Sequence, residues 1–111
     1  MKTKNYIPQH GDIVWLNFDP QTGHEQKGKR PAIVLSPKEY NEKTSLALFC
    51  PITSKIKNYP FEVKLDGEIE GVILSDQIKS LDWRIRKAEY IMKAGKKTIN
   101  EIQENIHMLL F

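Results

Sequence analysis

The chain has 111 residues, 40% hydrophobic and 28% charged, with a net charge of +3. That is apolar material for one self-sufficient core over residues 1–111, which excludes an intrinsically disordered chain and removes any need for disulfide staples. The polar start lacks a signal-peptide core and no run is long enough to cross a bilayer, so a cytoplasmic protein with no membrane partner is expected.

In chain order, Asp12 to Phe18 is predicted as a first strand, broken by the turn residues Asp19 to Gly23. Next comes Gly23-His24-Glu25-Gln26-Lys27-Gly28-Lys29-Arg30-Pro31. These nine residues carry one carboxylate, three cations and one imidazole, more chemistry than a connection needs. Ala32 to Leu35 is a short apolar strand closed by Ser36-Pro37, and Ser45 to Ile52 is a near-continuous apolar strand expected at the centre of the sheet. Cys50 lies within it and reads as a buried structural thiol of a reducing compartment. Thr53 ends that strand before a polar loop, Ser54 to Tyr59; Phe61 to Leu65 and Val72 to Leu74 follow as further strands. Ser80 to Arg86 reads as one more strand, with a helical signal nearly as strong.

The period then changes. Thr98-x-x-Glu101 has the form of a capping box, and Ile99, Ile102, Ile106, Leu109 and Leu110 recur at helical spacing, predicting a packing helix. His107 near its end reads as a surface residue favoured by the helix dipole. Short strands followed by one helix predict a mainly β fold, a small antiparallel β-barrel of about five to seven strands with a C-terminal α-helix.

Charge is uneven along the chain. Between Gln77 and Lys97 the cations Lys79, Arg84, Arg86, Lys87, Lys93, Lys96 and Lys97 face only Asp82 and Glu89, an excess of five. Such a segment attracts polyanions, nucleic acid or an acidic protein tail, unless it is simply a solvated face.

Several chemistries are excluded by motif. No phosphate-cradling or dinucleotide-binding glycine pattern is present, the three histidines stand far apart around a single cysteine, and Asp12 and Asp19 do not form a carboxylate cluster. No metal and no cofactor is expected. Metal-free acid–base chemistry on RNA needs less from the protein, because the ribose 2′-hydroxyl is the nucleophile. Glu25 suits a general base, Arg30 a bidentate phosphate clamp, and Thr53 a donor to a non-bridging oxygen. The bland readings are a Glu25 ion pair with Lys27 or Lys29, a structural Arg30 and a turn-forming Thr53.

Gly11-Asp12-Ile13-Val14-Trp15, Gly23-His24-Glu25-Gln26 and Arg30-Pro31-Ala32-Ile33-Val34-Leu35-Ser36-Pro37 together resemble the MazF/PemK toxin family. Pro51-Ile52-Thr53, Tyr59-Pro60-Phe61-Glu62-Val63 and Asp76-Gln77-Ile78-Lys79-Ser80 continue the resemblance in order, as far as the terminal helix. It implies an SH3-like barrel, homodimeric, acting as a ribosome-independent, sequence-specific endoribonuclease on single-stranded mRNA within a type II toxin–antitoxin pair. It also implies a cognate antitoxin protein as partner, with DNA engaged only through the antitoxin complex.

Position by position, the resemblance assigns Glu25, Arg30 and Thr53 to catalysis, and Lys29, Lys79 and His24 to RNA binding. Lys29 falls where some members carry histidine, and His24 replaces a serine often found before the Glu-Gln pair. Trp15 and Trp83 are candidate anchors for the antitoxin tail, with burial in the core as the competing reading. Two other functions remain open on the sequence: a same-fold toxin that poisons a protein target such as DNA gyrase, and a non-catalytic RNA-binding barrel.

Overall fold

The computed structural model describes residues 5–18, 28–65, 67 and 69–111. His24 and Glu25 lie outside the described residues, in the segment 19–27. The elements are β1 (Asp12–Asn17), β2 (Lys29–Val34), α1 (Lys38–Thr44), β3 (Leu46–Thr53), β4 (Glu62–Lys64), β5 (Val72–Leu74), β6 (Lys79–Asp82), β7 (Glu89–Lys93) and α2 (Lys96–Leu110).

The apolar β3 is the hub of the sheet, as its sequence implied. One edge, Phe49 to Pro51, pairs with β2. The other edge is shared, Leu46 to Phe49 pairing with β6 and Ile52–Thr53 with β5. From β2 the sheet continues to β1 and β7, and from β5 to β4, every pairing antiparallel. The order β4-β5-β3-β2-β1-β7, with β6 on β3, makes a barrel-like seven-stranded sheet that does not close into a ring among the described residues.

Alternation along the strands divides the core in two. Ile13, Ile33, Cys50, Ile52, Val63 and Ile73 pack with Ile102 of α2 on one side. Val14, Leu16, Ala32, Val34, Ala47, Phe49 and Trp83 form the second cluster. Each Val, Leu, Ile or Phe among them contributes about 1.5–3 kcal/mol by its burial.

Two elements were not anticipated. Helix α1 is polar and buries only Asn41. That side chain bonds to the carbonyls of Pro8 and Ser36, 2.8 and 3.1 Å, and accepts the Ser36 hydroxyl. Strand β7 lies at the sheet edge with no fully buried residue, although its half-buried Ile91 and Met92 pack against the first core cluster.

Four expectations need correction. Only Lys79–Asp82 of the sixth segment is strand, and the chain turns directly after it. Helix α2 begins at Lys96 with Gly95 as its N-cap and no side-chain cap, so Thr98 and Glu101 form no capping box. Thr98 is instead buried inside the first turn. Ile99, Ile102 and Ile106 pack on the sheet, whereas Leu109 and Leu110 remain exposed. Finally, Trp83 is 5% exposed within the second core and its indole N–H donates to the Asn41 carbonyl, 2.9 Å, so it is a core residue and no surface anchor.

Candidate functional site

The site is built where β2 begins and β3 ends. Antiparallel register sets Ala32 opposite Pro51, Ile33 opposite Cys50 and Val34 opposite Phe49. The pairing ends at Ala32–Pro51, and Arg30 and Thr53 each lie two residues beyond it, by alternation on the face that carries Ala32 and Pro51. The hairpin beneath them is closed by the Phe18 amide donating to the Gly28 carbonyl, 2.8 Å, so residues 19–27 leave from a pinned stem next to Arg30.

Arg30 is exposed and makes no hydrogen bond or ion pair among the described residues. A guanidinium in water, on a strand, needs no structural partner and keeps its fork for a ligand. The Thr53 hydroxyl accepts the Lys55 amide, 3.2 Å, which orients the oxygen and leaves its own proton to donate elsewhere.

Beside Thr53 lies a cleft of about 270 Å³ lined by Lys55, Lys57, Tyr59, Glu62, Leu74 and Gln77. Its loop is held from below, because the Glu62 carboxylate accepts the amides of Lys57 and Asn58, both 3.0 Å. Tyr59 donates to Asp76, 2.5 Å, and packs edge-on against Phe61. Accepting that proton, and by its charge, Asp76 holds the Tyr59 hydroxyl above the usual phenol range. The second Asp76 oxygen is shielded from solvent and has no hydrogen-bond partner among the described residues. Beneath, burial and then the Asp76 charge push the Cys50 thiol up to about 12, which keeps it protonated and inert.

The structure separates the remaining sequence candidates. Lys29 alternates to the face opposite Arg30, where it pairs with Glu89 at 3.3 Å. Trp15 sits on that same side, 39% exposed, opposite Pro31 in β2 and Glu89 in β7. Lys79 is exposed, opposite Phe49 in the β3–β6 pair and four residues back along β3 from Thr53. Tyr59 and Gln77, which complete the cleft, carried no assigned role in the sequence, although an exposed aromatic between lysines is a signal that points to such a cleft.

The basic segment proves heterogeneous. Lys93 reaches the buried Asp12 at 2.6 Å, and Asp12 also accepts Tyr6 Oη, 2.6 Å, and the Gln9 amide, 3.0 Å. Arg84 bonds Ser45 Oγ, 2.9 Å, and lies over the Trp83 ring; Arg86 reaches the Asn17 carbonyl, 3.3 Å. Three of the seven cations therefore tie elements together rather than forming one open face. Among the described residues no three His, Cys, Asp or Glu side chains gather as metal ligands, and no helix is long and apolar enough to cross a membrane.

The sequence profile of the PemK-like, MazF-like toxins of type II toxin–antitoxin systems matches residues 9–110. The chain belongs to this family. Among MazF/PemK proteins it is 46% identical over 106 residues to the endoribonuclease toxin MazF of Escherichia coli (strain K12), covering 95% of this chain and 96% of that one. The endoribonuclease toxin ChpB of the same organism is 38% identical, with 84% and 85% covered. The crystal structure of MazF (Form-I) from Deinococcus radiodurans superposes with a TM-score of 0.85 at 49% identity, covering 96% of this chain and 98% of that one. A MazE–MazF crystal structure from that organism, Form-II, gives 0.85 at 44% identity, with 96% and 97% covered.

Proposed function

We propose that this MazF/PemK toxin is an endoribonuclease that cleaves single-stranded RNA by attack of the ribose 2′-hydroxyl on the adjacent phosphorus. The observation that carries this is the exposed Arg30 fork, without a polar partner among the described residues, at the same end of the β2–β3 pair from which Thr53 runs on into a cleft. Similarity to proteins named endoribonucleases supports it.

The reaction transfers the 2′-proton to a base, forms the 2′-O–P bond and breaks the P–O5′ bond; the leaving O5′ takes up a proton, relayed through Arg30, so the products end in a 2′,3′-cyclic phosphate and a 5′-hydroxyl. Arg30 neutralises charge on the non-bridging oxygens, and Thr53 donates to one of them. A guanidinium is a poor proton acceptor, which argues against Arg30 as the base. That role falls to Glu25, and His24 is assigned to RNA binding. Tyr59 offers a ring on which an unstacked base can lie, Gln77 hydrogen-bonding groups for a base edge, and Lys55 and Lys57 charge for flanking phosphates.

The antitoxin reading rests on the other face. Trp15 is the exposed aromatic there, flanked by the Lys29–Glu89 pair, and suits a partner tail that folds on binding. The exposed Leu109, Leu110 and Phe111 suit burial against a second copy as a homodimer, which light scattering of the pure protein checks.

The test is cleavage of a long single-stranded RNA by pure protein in EDTA, beside Arg30→Ala. Fragments ending in cyclic phosphate, lost with the variant, are expected. Intact RNA with folded, antitoxin-free protein turns attention to a gyrase-type target instead.

A further inference from the structure

The connection into β5 contains a contact that no catalytic assignment uses. Gly71 has φ +143, a backbone conformation that side-chain-bearing residues rarely adopt. A Cβ built there lies 2.6 Å from the carbonyl oxygen of Thr53 and 3.2 Å from its carbonyl carbon. Ordinary contact between such atoms begins near 3.5 Å, so any side chain at 71 moves the two backbones apart by roughly half an ångström or more.

Thr53 has little freedom to absorb that movement without turning its hydroxyl. Its backbone is paired with Val72 and the preceding Ile52 with Ile73, while its Oγ accepts the Lys55 amide. Gly71 is anchored in turn, its carbonyl accepting the Leu65 amide at 3.2 Å. The glycine is thus the flat surface against which the end of β3 rests.

We propose that Gly71 is a positioning residue for cleavage, setting the Thr53 hydroxyl through backbone contact without touching RNA. This rests on the endoribonuclease reading above. The chain supplies its own control in Gly67. That residue also has positive φ, +124, but among the described residues a Cβ there meets only the Met92 methyl at 3.5 Å. Alanine at 67 therefore carries a similar conformational cost with no push on Thr53.

The experiment measures kcat and KM on a fluorogenic single-stranded RNA for wild type, Gly71→Ala, Gly67→Ala, Thr53→Val and the Gly71→Ala/Thr53→Val pair. Thermal melts fix an assay temperature at which the variants are folded. Misplacement of a reacting group by about 1 Å costs up to about a hundredfold. The expected result is a kcat loss of at least about tenfold in Gly71→Ala with KM within about twofold, and near-wild-type kcat in Gly67→Ala. In the Thr53→Val background the same glycine change should cost under about twofold, because the group it positions is already gone.

Equal losses in both backgrounds, or a Gly67→Ala as impaired as Gly71→Ala, overturn the proposal. So does a Gly71→Ala chain that fails to fold at 15 °C where Gly67→Ala folds, since the glycine then serves the fold alone. A cleaving wild type with undiminished Gly71→Ala overturns this proposal only. A wild type that leaves RNA intact overturns the cleavage reading first, and this one with it.

Discussion

Two sets of cations in this molecule look alike in the sequence and differ in the fold. Lys93, Arg84 and Arg86 spend their charge inside the structure, on the buried Asp12, on Ser45 and the Trp83 ring, and on the Asn17 carbonyl. Arg30 and Lys79 are exposed and have no polar partner among the described residues. A cation already paired gives up a partner and its geometry before it can bind phosphate, whereas a solvated one gives up only water and counterions. The count of charges over Gln77 to Lys97 therefore overstates what that segment offers to RNA.

The largest effect should come from the acid–base group. Glu25→Gln should keep RNA binding and lose about 10²–10⁴ in cleavage rate, read by gel cleavage beside filter binding. Equal cleavage by that variant moves the base elsewhere. Next, Arg30→Ala should lose about 10²–10³ in kcat, as for other donors aimed at developing charge. A loss confined to KM would make Arg30 a docking residue only.

The engaged set behaves differently. Lys93→Met should lower stability by about 1–3 kcal/mol in urea unfolding, because Asp12 loses a charged donor. The slope of RNA affinity against salt should not change. Lys79→Ala should do the reverse, leaving stability alone while reducing that slope by about one unit. Matching behaviour of the two lysines would erase the distinction drawn here.

The smallest effect is at the buried thiol. Cys50 is raised to about 12 from an ordinary value of 9, so its protonated form is favoured in the folded chain. That contribution is complete below pH 9 and is lost as pH rises toward 12. Folded protein at pH 8 should accordingly resist a thiol reagent that reacts at once after denaturation.

Strands with apolar runs were legible because burial on a sheet leaves a local pattern. Asp12–Asn17, Leu46–Thr53 and Val72–Leu74 lie within a residue or so of where their sequences put them. Helix α1 was not, since it is held by one buried polar side chain, Asn41, and shows no apolar stripe. Strand β7 was hidden inside the basic segment because its three apolar residues, Tyr90 to Met92, are bracketed by charges and show no alternation. In the site, Arg30 and Thr53 were recognisable as residue types, but Tyr59, Asp76 and Gln77 were only motif letters until the loop folded over them.

By itself the sequence determined the family, the apolar strands, the terminal helix and the candidate chemistry of Glu25, Arg30 and Thr53. The family and the candidate residues are carried by short motifs that resemble it, and the strands and helix by short-range periodicity, both of which single stretches of chain contain whole. Tertiary structure alone decided that Arg30 and Thr53 leave the β2–β3 pair at the same end, that Lys29 faces away, that Trp83 is core, and that Gly71 lies against the Thr53 carbonyl. Each depends on the register between segments distant in the chain. A shift of one residue there reverses which side chains share a face.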